Sequence, residues 1–97
     1  MKSKYVYIII DEFRYDNTPE ENYESCSRAY SSLKKAVEHL ELWYDIYHSN
    51  MRNSGELYVG GNYVSLDIND RNKEFSRLFM RNGDKLHITH IRRIFLY

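Results

Sequence analysis

The sequence predicts an α+β fold of order β–α–β–β–α–β, with an antiparallel four-stranded sheet and two helices on one face. Three observations predict it. A β-branched run opens the chain, two later segments repeat apolar residues at helical spacing, and a glycine pair separates two alternating stretches. At 97 residues and 42% hydrophobic, the chain has enough apolar material for a single domain, residues 1–97.

Lys4 to Ile10 reads as a central strand, with Tyr5, Tyr7 and Ile9 on one side and Val6, Ile8 and Ile10 on the other. Asp11 to Glu24 has no clear period, and Asp16-Asn17-Thr18-Pro19 is turn chemistry. This segment is either a long loop or a continuation of the first strand to Arg14, returning near Tyr23 to Ala29.

Ser32 to His48 is the strongest helix. Leu33, Ala36, Val37, Leu40, Tyr44 and Tyr47 form one stripe, and Ser31 or Ser32 can cap it. Leu42, Ile46, His39 and Trp43 widen the apolar arc beyond what one sheet contact demands.

Glu56 to Val59 and Asn62 to Ile68 predict a hairpin through Gly60-Gly61, in which Tyr58 and Tyr63 face each other. Arg71 to Arg81 predicts a second helix, from Phe75, Leu78 and Phe79 and an Asn82-Gly83 stop. The competing reading is a strand from Ser76 to Arg81, hairpinned through the same Asn82-Gly83 pair. Lys85 to Tyr97 is strand-like, with an apolar end from Ile94. This order of elements is the ferredoxin-like arrangement.

Charge is balanced overall but segregated. Asp11 to Glu24 carries six acidic residues (Asp11, Glu12, Asp16, Glu20, Glu21, Glu24) against Arg14, a net of −5. Asp70 to Tyr97 carries seven basic residues against three acidic, a net of +4. Such asymmetry either steers a partner or brings the two regions together.

Catalytic and metal motifs are not evident. His39, His48, His87 and His90 lack zinc-ligand spacing, and Ser25-Cys26-Ser27 has no adjacent base. The expectation is a non-enzymatic protein without a metal or cofactor. Cys26 has no partner for an internal disulfide, no apolar run reaches the roughly 18 residues of a membrane span, and no secretory signal is visible. A cytoplasmic, non-membrane protein is expected.

Two resemblances add to this reading. Val6-Tyr7-Ile8-Ile9 and Gly61-Asn62-Tyr63-Val64-Ser65-Leu66 resemble the two short motifs of RNA-recognition modules, although Leu66 occupies a position usually aromatic. That resemblance implies single-stranded RNA or DNA stacking on Tyr7 and Tyr63. In size, tyrosine and asparagine richness and lack of catalytic motifs, the chain is also similar to small phage proteins that inhibit host defence, anti-CRISPR proteins among them. That similarity implies an inhibitor that binds a basic nucleic-acid enzyme.

The leading expectation is therefore a protein-binding module. Asp11, Glu12, Asp16, Glu20, Glu21 and Glu24 supply electrostatic complementarity, and Tyr15, Tyr23, Tyr58 and Tyr63 act as aromatic anchors. Direct nucleic-acid binding is the second expectation. Homodimer formation through Leu42, Ile46 and the segment Ile94 to Tyr97 is the third.

Overall fold

A computed structural model describes residues 4–96. Tyr97, the end of the expected apolar terminus, and residues 1–3 lie outside the described residues. The elements are β1 (Lys4–Tyr15), β2 (Tyr23–Tyr30), α1 (Leu33–Asn53), β3 (Tyr63–Asp67), β4 (Arg77–Asn82) and β5 (Lys85–Leu96). The strands form one antiparallel sheet in the order β2-β1-β5-β4-β3. One α-helix lies on one face. The expected four strands and two helices are thus corrected to five strands and one helix.

The first correction lies in residues 11–30. β1 runs on past Ile10, and Asn22 accepts the Tyr15 backbone N–H at 2.7 Å to close the return into β2. Pro19–Glu21 makes a single 3-10 turn at the tip. The acidic segment is a strand hairpin, the strand alternative for this stretch; with β2 and β4 gained and the strand expected at Glu56 to Val59 absent, the sheet has five strands.

The second correction lies in residues 71–82. Leu78 is 1% exposed and faces the helix with Met80, while Phe79 and Arg81 take the other face. The helical spacing of Phe75, Leu78 and Phe79 was misleading, since Phe75 is 64% exposed. Asn72 caps only a 3-10 turn, Lys73–Phe75. The strand alternative prevails because Gly83, at φ +63°, makes the tight turn that lets β4 pair with β5.

The hairpin expected through Gly60-Gly61 is also replaced. α1 continues five residues past His48 because Met51 is buried against the core. The backbone N–H groups of Glu56 and Leu57 then bond to the Met51 carbonyl, and the chain loops until β3 begins at Tyr63. Tyr58 sits in that loop with a left-handed φ of 62° and never faces Tyr63 across a ladder.

The first helix follows its stripe. Ser32 accepts the Lys35 N–H at 3.2 Å as N-cap. Ala36, Val37 and Leu40 meet Ile9, Val64, Leu78 and Ile91 in the core, with Leu33, Tyr44 and Tyr47 around them. Burying such side chains supplies on the order of 1.5–3 kcal/mol each, which is how one helix can hold five strands.

β1 and β5 are central and pair over their whole length, Lys4 opposite Leu96 and Tyr15 opposite Lys85. This antiparallel match sets the acidic end of β1, from Asp11, opposite Lys85 to Thr89, while Arg92 and Arg93 lie opposite Ile8 and Tyr7. Among the described residues, no helix is long and apolar enough to cross a membrane.

Candidate functional site

Alternation along β1 puts Ile9, Asp11 and Phe13 on the helix-covered face. Asp11 follows a core isoleucine, so its carboxylate enters a mostly apolar environment. It lies directly opposite Thr89, and Phe13 lies opposite His87. Thr89 Oγ1 donates to Asp11 Oδ1 at 2.9 Å, and His87 Nε2 stands 2.8 Å from the same oxygen. A β-bulge in β2 shifts the register beside Ile9 and Ile10, and Ser27 gains a hydrogen bond to Asp11.

These residues floor a pocket of about 510 Å³ between α1 and the β2-β1-β5 side of the sheet. Its wall is aromatic and nearly continuous. Tyr23 stacks on Phe13 at 4.7 Å, and Phe13 stacks on His87 at 4.3 Å. His87 lies 5.7 Å from Tyr47, Tyr47 lies 5.4 Å from Trp43, and Trp43 lies 6.2 Å from His39. His39 meets Tyr30 edge-on at 5.6 Å, and Tyr30 Oη is 2.8 Å from His39 Nδ1.

Electrostatics inside the pocket follow from burial and hydrogen bonding. Burial pushes the Asp11 carboxyl up. Hydrogen bonds from His87, Ser27 and Thr89, with the attraction of His87, outweigh it and hold the group below its ordinary value. His39 is lowered, first by burial and also by Arg28, against an opposing pull from Asp11. Its ring is therefore neutral at pH 7. Tyr47 is raised, by burial and then by the Asp11 charge.

The hydrogen-bond pattern does not make Thr89 a nucleophile. In an acyl-transfer triad the carboxylate holds one imidazole nitrogen and the hydroxyl uses the other. Here Thr89 Oγ1 and Asp11 Oδ1 both approach Nε2 of His87, at 3.3 and 2.8 Å, and the hydroxyl gives its hydrogen to Asp11. Among the described residues, no group of three His, Cys, Asp or Glu side chains could hold a metal ion.

Of the ten residues expected to form a partner surface, only Asp11 lines this pocket, and Tyr23 adjoins it by stacking on Phe13. Glu12 and Glu24 point to the opposite face. Glu12 lies 2.9 Å from Arg14 and 2.9 Å from His90 Nε2, the latter outside hydrogen-bond alignment. Burial raises the Glu12 carboxyl, and Arg14, through its hydrogen bond and charge, and the His90 charge lower it further than that. Glu24 lies 3.5 Å from Arg92.

Asp16 lies 2.7 Å from Arg81 at the hairpin end, one residue after Tyr15. Glu20 and Glu21 are exposed on the 3-10 turn, where Glu21 accepts a hydrogen bond from Thr18. Tyr58 is 70% exposed in the loop after α1. Tyr63 is on the uncovered face beside Arg81. Tyr7 packs against the core on the helix-covered face, so Tyr7 and Tyr63 cannot form one base-stacking platform.

Sequence reasoning missed the site-forming roles of Arg28, Tyr30, Trp43, Tyr47, His87 and Thr89. The over-wide apolar arc of α1, with His39 and Trp43 on it, was the one signal that pointed there. No protein-family model, no curated protein and no solved structure matches the chain.

Proposed function

We propose that this protein is a non-enzymatic binding module and that the ring-walled pocket is its contact site. The observation that carries the reading is the nearly continuous run of six rings lining the pocket, from Phe13 to Tyr30, extended outside it by Tyr23, around a floor whose carboxylate is already hydrogen-bonded. Aromatic walls present large contact area at low conformational cost, as binding hot spots do. The shared use of His87 Nε2 by Asp11 and Thr89 supports binding over nucleophilic catalysis.

Trp43 is the only tryptophan and stands in the pocket wall, so its fluorescence reports occupancy. A panel of small aromatic, anionic and cationic compounds should contain members that shift or quench Trp43 emission saturably. Tyr47→Ala should weaken those members while Tyr58→Ala leaves them unchanged. A panel without any saturable shift would refute the pocket reading.

A second reading keeps the inhibitor expected from the sequence, a protein that meets a basic nucleic-acid enzyme. Glu20 and Glu21 favour it, since both are exposed and neither has a basic partner among the described residues. Tyr23, 53% exposed, adjoins them at the end of the ring arc. Reversing both charges, Glu20→Lys with Glu21→Lys, should slow association with a basic partner at low salt. Unchanged association kinetics there would count against it.

A further inference from the structure

We infer that the pocket takes a nucleotide unit, a flat heterocycle joined to a phosphate. The inference rests on the pocket reading above and names its ligand. The floor supplies the first argument. Asp11 accepts hydrogen bonds from His87, Thr89 and Ser27, so its hydrogen-bonding capacity is engaged within the protein, while its charge still acts on Tyr47 and His39. The pocket groups left open are hydrogen-bond donors.

Arg28 is one of them. It lines the pocket with its guanidinium 5.6 Å from the Tyr30 ring centroid, and it has no carboxylate partner among the described residues. His39 is the second. Tyr30 Oη lies 2.8 Å from its Nδ1, and in the tautomer where the tyrosine donates, the neutral ring carries its hydrogen on Nε2. At the other end of the arc, Lys85 Nζ stands 5.1 Å from the Phe13 centroid, also without a carboxylate partner among the described residues.

Two cations thus bracket a wall of stacking surfaces. Stacking rewards a planar ring of either polarity, but guanidinium and ammonium groups at both ends favour an anionic substituent. A positively charged ring would meet Arg28 at close range. A mononucleotide and one residue of a single strand share the favoured chemistry, and the experiment separates them.

Trp43 emission is titrated at low salt with AMP, adenosine, a short single-stranded oligoadenylate and benzyltrimethylammonium, on the parent protein and on Arg28→Gln and Arg28→Lys. AMP should bind roughly tenfold tighter than adenosine, Arg28→Gln should erase that difference, and Arg28→Lys should restore part of it. Arg28 is exposed on β2, so equal thermal melts of the variants are expected and exclude a folding defect. An oligonucleotide that binds tighter than AMP with steep salt dependence assigns a strand, and equal affinity assigns the free nucleotide.

Preference for benzyltrimethylammonium over AMP, or equal binding of AMP and adenosine, would overturn the inference and leave the pocket reading intact. Silence of Trp43 toward all four ligands would overturn the inference, and the pocket reading falls separately if the wider panel is silent too.

Discussion

Replacing Asp11 by Asn tests whether the pocket floor is an ionic hydrogen-bond centre. The substitution keeps size and one acceptor oxygen but removes the charge. In the parent protein that charge receives Thr89 at 2.9 Å and His87 at 2.8 Å, with the side chain only 15% exposed. Hydrogen bonds to charged groups contribute about 1.5–3 kcal/mol, and part of that survives with a neutral acceptor. A loss of about 2 kcal/mol at pH 7 is expected, or roughly 8–16 °C in melting temperature for a domain of this size.

The pH dependence gives the sharper reading. The folded Asp11 carboxyl sits below its ordinary value of 3.8. Its stabilisation is therefore fully present above the unfolded pKa and disappears as pH falls through the folded one. The gap between parent and Asp11→Asn should be widest at neutral pH and should close below about pH 4. The other carboxylates titrate in both proteins and cancel in the difference. Urea denaturation of both proteins from pH 7 to pH 3 measures this. Equal stability at pH 7, or a gap that does not change with pH, would refute the ionic floor.

Three further outcomes follow from the fold. Leu40→Ala removes a fully buried side chain where α1 meets the sheet and should cost about 2–5 kcal/mol by chemical denaturation. Gly83→Ala should cost about 1–2 kcal/mol, and the cause is backbone alone, since a Cβ there meets nothing within 4 Å while φ is +63°. A double-mutant cycle on Asp16 and Arg81 should give a coupling of about 1 kcal/mol or less, reduced by added salt, because half of the Asp16 side chain faces solvent.

What could be read from the sequence was local. The Ser32 cap and the Leu33-to-Tyr47 stripe are set by neighbours a few residues apart, and α1 obeys them. Phe75, Leu78 and Phe79 fitted helical spacing while Arg77 and Arg81 interrupted strand alternation, and a window that short cannot separate the two patterns. The arbiter was Gly83 and the open pairing edge of β5, a tertiary fact. The β1–β2 hairpin was legible only as one of two choices, since its strand alternation hides behind acidic residues on both faces. The pocket was out of reach. Asp11 and Thr89 are 78 positions apart and meet only through the register of β1 on β5.

That register also decides what the charge segregation means. It sets Asp11 beside His87, Glu12 beside His90, Asp16 near Arg81 and Glu24 near Arg92. Four of six acidic side chains in the −5 segment thus meet groups from the +4 segment, so the asymmetry serves strand pairing before it can serve a partner. The rings behave differently. Tyr30, Tyr47 and Trp43 line the pocket and reach one another through His39 and direct Trp43–Tyr47 contact, and they do not close it. Internal neutralisation lowers the long-range field that an acidic lure would need, while a part-open aromatic wall retains contact area to offer. The two effects favour the proposed recognition by stacking within the pocket, where Arg28 is the cation in the lining and Lys85 stands beside that lining, over Phe13.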